Sequence, residues 1–159
     1  MYLGYQNGQI KFYTEEPLDQ EFYNLEKVEE TELEYVLDGE EYVLKDKAWE
    51  EKQAQKEKER IAMLSLTRGD VFRGLLMAKG VTRAQLRAMI ETNELLSEVE
   101  REMALIDFDE ALNFYRGNAL IDTVGLALGI TSEQLDKFFE YNDYAYLLPV
   151  ELTDEKIEE

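Results

Sequence analysis

Residues 78–91 read AKGVTRAQLRAMIE, and residues 127–140 read ALGITSEQLDKFFE. Ala, Gly, a β-branched apolar residue, Thr, Gln, Leu and Glu fall at matching positions, offset by 49 residues. Each copy spells one helix ending and another beginning. Gly80 and Gly129 are placed to take the left-handed conformation after a helix C-terminus, where a side chain would clash. Thr82 and Thr131 then act as N-caps, and Gln85 and Gln134 three residues on complete Thr-x-x-Gln capping boxes. The spacing predicts two helix–turn–helix units that share one helical body.

Thr67 and Asp70 open the first helix, which carries Val71, Phe72, Leu75, Leu76 and Ala78 inward. Leu86, Met89 and Ile90 line the next. Between the copies, Ser97-x-x-Glu100 caps a long helix predicted to run to Tyr115, with Val99, Met103, Ile106, Phe108, Ala111, Leu112 and Tyr115 as its apolar stripe. Gly117 ends it. Asn118 caps a helix with Leu120, Ile121, Val124 and Leu128, and the last helix buries Leu135, Phe138 and Phe139. An aromatic stretch follows, and from Pro149 an acidic tail reads as disordered.

Upstream, KAWEEKQAQKEKERIAML behind Asp46 is a charged helix in which, with Asp46 counted, five acids and five bases balance. Its apolar residues cluster at the ends, which suits a spacer, and it lacks the sustained repeat of a coiled coil. The first 45 residues read as strands. Asn7-Gly8 marks one hairpin, with Tyr5 facing Ile10 and Leu3 facing Phe12. Asp38-Gly39 marks a second, with Tyr35 facing Tyr42 and Leu33 facing Leu44, and FYNLEKV between them reads as a further short strand. The expected fold is therefore α+β. A small antiparallel sheet of two hairpins (1–45) precedes a charged linking helix (46–65). An all-helical domain containing both repeats (66–148) and the acidic tail (149–159) follow.

Composition limits the function. Cysteine and histidine are both absent from the 159 residues. That removes disulfides, thiolate nucleophiles, the usual general base and the commonest zinc ligand. No cofactor or metal is called for. The net charge of −19 opposes binding to DNA, RNA or anionic membrane and permits docking on a basic protein surface. No apolar run is long enough for a membrane span and the start is no signal peptide, so a cytoplasmic location is expected.

Charge is uneven. Residues 1–45 hold twelve acids and three bases, whereas 65–91 hold two acids and five bases. Arg68, Arg73, Lys79, Arg83 and Arg87 thus form a basic island, and 92–140 return to eleven acids against three bases. Gly-[Val/Ile]-Thr-x-x-Gln-Leu also spells the turn of a DNA-reading helix–turn–helix, with Arg83, Gln85 and Arg87 on its second helix. Any tight junction into a capped helix has that spelling, so packing is the simpler account.

The candidate partner-binding carboxylates are Glu29, Glu30, Glu32, Glu34, Glu40 and Glu41, together with Asp107, Asp109 and Glu110. Neither group has EF-hand spacing, and there is no Gly-rich phosphate loop or Gly-x-Ser-x-Gly elbow. Aromatic residues of the first hairpin and of the C-terminal stretch (Tyr2, Tyr13, Tyr141, Tyr144, Tyr146) fit either a core or an interface.

The run from Tyr42 to Asp46, the charged helix from Ala48 to Arg60, and Leu66 to Val71 resemble small proteins of the tail and tail-fibre region of bacteriophages and prophages. The resemblance implies a phage-derived, non-enzymatic accessory that works by contact with other proteins, in the host cytoplasm or on the virion. Two partner classes follow: a phage structural protein during virion or tail assembly, or a host nucleic-acid-binding protein inhibited, in the anti-CRISPR manner, by carboxylates that mimic phosphates. Assembly with further copies of the chain is compatible with the first.

Overall fold

The structure, a computed structural model, describes residues 1–149. The disorder expected of the acidic tail concerns residues that, from 150 on, lie outside the described ones. The chain is mixed α and β and divides into two compact units, Met1–Glu57 and Lys58 onward.

In the first unit, β1 (Tyr2–Gln6), β2 (Gln9–Thr14) and β3 (Lys27–Glu30) form a three-stranded antiparallel sheet in the order β2-β1-β3. Asn7 and Gly8 both take positive φ, 53° and 73°, as the expected tight hairpin turn demands. The register holds for Gln6 with Gln9 and Tyr5 with Ile10, and then slips by one at a bulge that leaves Lys11 unpaired. Leu3 therefore faces Tyr13 rather than Phe12, and Phe12 moves to the opposite face beside Gly4. There Leu18, Leu25 and Phe12 crowd so close that a Cβ on Gly4 would meet all three within about 3 Å. Leu3 and Leu25 are the buried apolar residues of this unit.

β4 (Tyr35–Asp38) and β5 (Glu41–Leu44) form a separate two-stranded ribbon instead of extending one continuous sheet. Its turn is Gly39-Glu40, with Gly39 left-handed at φ 72°, so Asp38 stays in the strand opposite Glu41. Gly at the first turn position suits a type II′ turn; Asp38 at that position would have had to adopt a positive φ. The register shifts by two residues, Tyr35 faces Leu44, and the facing pattern survives because two residues is one full pleat. Tyr13 packs against the rings of Tyr35 and Tyr42 at 5.6 and 5.9 Å. Leu33 and Leu37, expected inward, are exposed.

Helix α1 (Lys47–Ala62) starts on Asp46, whose carboxylate accepts from the Trp49 amide at 2.9 Å. The division between units falls within this helix. It buries no residue, as its balanced charge pattern implies.

The second unit contains β6 (Ser65–Thr67), α2 (Arg68–Lys79), α3 (Arg83–Glu91), α4 (Glu98–Glu110), β7 (Asn113–Tyr115), α5 (Ala119–Ala127) and α6 (Ser132–Tyr141). A short 3-10 turn at Tyr144–Leu147 closes it. The expectation of an all-helical domain is corrected here: β6 and β7 pair antiparallel, with Leu66 opposite Phe114 and both buried. The long helix accordingly ends at Glu110, where Ala111 leaves helical geometry at ψ 134°, and not at Tyr115.

The matching offset extends beyond the two quoted stretches. Val71 and Leu120, Leu75 and Val124, Leu86 and Leu135, and Ile90 and Phe139 stand at the same offset, and all eight are buried in one core. Gly80 and Gly129 are left-handed at φ 67° and 68°, and both Thr-x-x-Gln capping boxes are formed. The copies pack on each other: the Phe138 ring of α6 lies against Gly74 of α2. At the centre an apolar cavity of about 20 Å³ remains.

Candidate functional site

α4 carries apolar residues on two opposite sides. Phe108 is buried, and Ala104, Leu105 and Ala111 pack around the same core. At 100° per residue, Val99 lies half a turn away from Phe108, with Met103 and Ile106 to either side of it. These three, expected in the core, are 68%, 62% and 59% exposed. Leu112 and Tyr115 are exposed as well.

The exposed stripe is a ridge between two grooves. One is lined by Glu98, Glu102, Ile106 and Glu110 with Arg87, Arg101 and Asp109. The other is lined by Glu100, Met103 and Asp107 with Leu96 and Asn118. Among the described residues, no Lys or Arg pairs with Glu98, Glu100, Glu102, Asp107 or Glu110. Glu100 instead bonds the Ser97 amide at 2.8 Å, and that bond holds its carboxyl below the ordinary range. Asp107 accepts from the Asn118 amide at 3.3 Å.

Asp109 has a different role from its neighbours. Its carboxylate accepts from Arg87 at 3.2 and 3.3 Å and from Arg83 at 3.5 Å, while its backbone carbonyl accepts from Arg68 at 2.5 Å. Arg87 also pairs with Glu91. Arg68 and Arg83 stack over Phe72, each 5.6 Å from its centroid, and Arg83 also lies over Phe108. Arg73 turns back on Asp70 at 2.6 Å. The basic island is thus spent largely on binding α2 and α3 to α4, with the guanidiniums resting on aromatic faces.

The carboxylates of the first unit divide likewise. Glu29 accepts from the Tyr5 hydroxyl at 2.9 Å and from Lys27 at 3.0 Å. Lys27 chiefly, and Tyr5 next, hold its carboxyl below the usual range. Glu34 pairs with Lys45 at 2.9 Å. The backbone carbonyl of Glu40 accepts from Lys11 at 2.9 Å. Glu30, Glu32 and Glu40 are exposed and Glu41 is half-buried on β5.

Arg116 is a structural residue that the sequence pattern did not single out. It is 5% exposed, and it donates to Asp136 at 2.6 Å, Asp122 at 2.8 Å and the Ser132 hydroxyl at 2.7 Å. These bonds tie the end of β7 to α5 and α6. Only recognising NFY as a strand would have moved Arg116 from a helix terminus into the interior.

Chemically the arrangement offers contact surfaces. No group of three or more Asp and Glu side chains among the described residues could hold a metal ion. Among the same residues no helix is long and apolar enough to cross a membrane. No protein-family model, curated protein or solved structure matches the chain.

Proposed function

We propose that the chain is a non-enzymatic interaction module that works by binding another protein, and that its setting is phage virion or tail assembly. The observation that carries the binding reading is the ridge on α4, where three large apolar side chains stand mostly in water on an acidic helix. Exposed apolar surface of this kind, rimmed by charge, is what interaction sites look like on a folded chain. The assembly setting rests on the resemblance of Tyr42–Val71 to phage tail-region proteins.

The apolar ridge supports contact over phosphate mimicry. A mimic presents rows of carboxylates alone, whereas the unpaired carboxylates of α4 flank the exposed Val99, Met103 and Ile106, and Asp109, Glu34 and Glu29 are engaged by Arg87, Lys45 and Lys27. The test is affinity capture with the full chain against separated virion proteins and against host lysate. Retention of a virion or tail protein is expected. Retention of a host nucleic-acid-binding enzyme, released by moderate salt and displaced by DNA, would replace this reading with the inhibitor one.

A further inference from the structure

The ridge on α4 has a definite partner chemistry. We infer that it binds a cationic amphipathic helix of another protein, laid along Val99, Met103 and Ile106 with its Lys or Arg side chains reaching the acid-rimmed grooves on both flanks. This deepens the proposed function and rests on it.

The spacing comes first. Positions 99, 103 and 106 are separated by four and then three residues, the rhythm of the seam through which two helices pack side by side. A strand or loop would not match three knobs at that interval, whereas a helix presents holes at the same period. The seam runs about 10 Å at 1.5 Å per residue, so about two turns of a partner cover it.

Charge then selects among helices. The seam is flanked by Glu98 and Glu102 on one side and Glu100 and Asp107 on the other, with Glu110 at its end. None of the five has a cationic partner among the described residues. The nearby cations are committed elsewhere: Arg87 to Asp109 and Glu91, and Arg101 to the Glu91 carbonyl at 3.4 Å. Two copies of this chain placed seam to seam would face carboxylates with carboxylates, which is destabilising across a helix pair. A partner with Lys or Arg beside its apolar seam reverses the sign of every one of those contacts. The covered area is small, so the complex is expected to be transient and salt-sensitive, with a Kd on the order of micromolar.

The probe is a capped two-heptad peptide of Leu at seam positions and Lys elsewhere, titrated into the full chain by fluorescence anisotropy. A peptide of the same composition, scrambled to lose its apolar face, is the control. Binding of the patterned peptide is expected, and Met103→Ser with Ile106→Ser should weaken it about tenfold or more, the size of one interface hot spot. Both residues are mostly exposed, so circular dichroism and the thermal midpoint of the double variant should match the parent. Glu98→Gln with Glu102→Gln provides an independent variant that also weakens binding and flattens its salt dependence.

Four results overturn the inference. Equal binding of the scrambled peptide would reduce the effect to charge alone. Indifference to the serine substitutions would place the contact elsewhere. A dimer in sedimentation that Ile106→Ser abolishes would make a second copy the occupant. If affinity capture yields a partner whose retention ignores these variants, the inference falls while the proposed function stands. If capture yields no protein, the proposed function falls whatever the peptide does.

Discussion

Gly74 of α2 sits directly beneath the ring of Phe138 of α6, so close that a Cβ on Gly74 would lie 2.7 Å from the ring's Cε2. That contact seats the second helical copy on the first. Gly74→Ala should destabilise the protein. The gain in helix propensity, about 1 kcal/mol, is outweighed where overpacking costs about 1–3 kcal/mol and the buried ring cannot withdraw. Gly69→Ala, whose nearest neighbour would be the mobile end of Arg73 at 3.6 Å, should be neutral or mildly stabilising. Urea unfolding followed by circular dichroism separates the two, and Phe138→Leu in the Gly74→Ala background should recover part of the loss.

Arg116 is the buried cation that joins β7 to α5 and α6. Truncation to Ala should cost toward the lower end of about 3–5 kcal/mol, because Asp122 and Asp136 remain partly in contact with water once the guanidinium is gone. Arg116→Lys should restore only part of it, since one ammonium cannot span Asp136, Asp122 and Ser132 together. Chemical denaturation at fixed pH measures both.

The duplicated turns make a matched set. Thr82→Ala and Thr131→Ala should each cost about 1 kcal/mol through loss of the cap. Gly80→Ala and Gly129→Ala should cost about 1–2 kcal/mol each, because both backbones are left-handed. The copies should differ at the third capping position. Gln134 also donates to the Leu148 carbonyl at 2.7 Å, so Gln134→Ala should destabilise more than Gln85→Ala. Thermal midpoints of the six variants, measured side by side, check the comparison.

Acid should weaken the fold through named groups. Asp70 is held below the ordinary carboxylate range first by the Thr67 hydroxyl and then by Arg73, and Glu100 by its bonds to Ser97. A carboxyl depressed in the folded state contributes stability that is present above its unfolded value and lost as pH falls through its folded one. Both contributions are therefore intact at neutral pH and disappear below the ordinary values of 3.8 for Asp and 4.5 for Glu. Asp70→Asn and Glu100→Gln should each lower the midpoint at pH 7 and flatten its decline in acid.

The caps and glycine turns were legible in the sequence because they are local: Thr67, Thr82, Ser97, Asn118 and Thr131 all cap where their spacing says they should. What depended on partners distant in sequence was not. Val99, Met103, Ile106 and Phe108 look like one stripe when counted along the chain, yet Phe108 and Val99 lie half a turn apart and only one side meets the core. Asn113–Tyr115 continues a helical rhythm, and only Ser65–Thr67, far upstream, turns it into a strand. In the first unit the hairpins were marked by Asn7-Gly8 and Asp38-Gly39, but neither signal carried the bulge that leaves Lys11 unpaired and moves Phe12 to the face where Leu18 and Leu25 crowd Gly4. Among the candidate site residues, pattern alone could not tell Asp109, which is ion-paired within the fold, from Asp107 and Glu110, which have no cationic partner among the described residues.

The pairing of Leu66 with Phe114 joins the entrances of two similar halves, each a short strand followed by a capped pair of helices. Every hydrogen bond of that ribbon can form equally well between the first half of one molecule and the second half of another. Refolding at high protein concentration should therefore yield, beside the monomer, an interlocked species in which two molecules have exchanged halves. It should have native circular dichroism, separate on size exclusion, and revert only after unfolding.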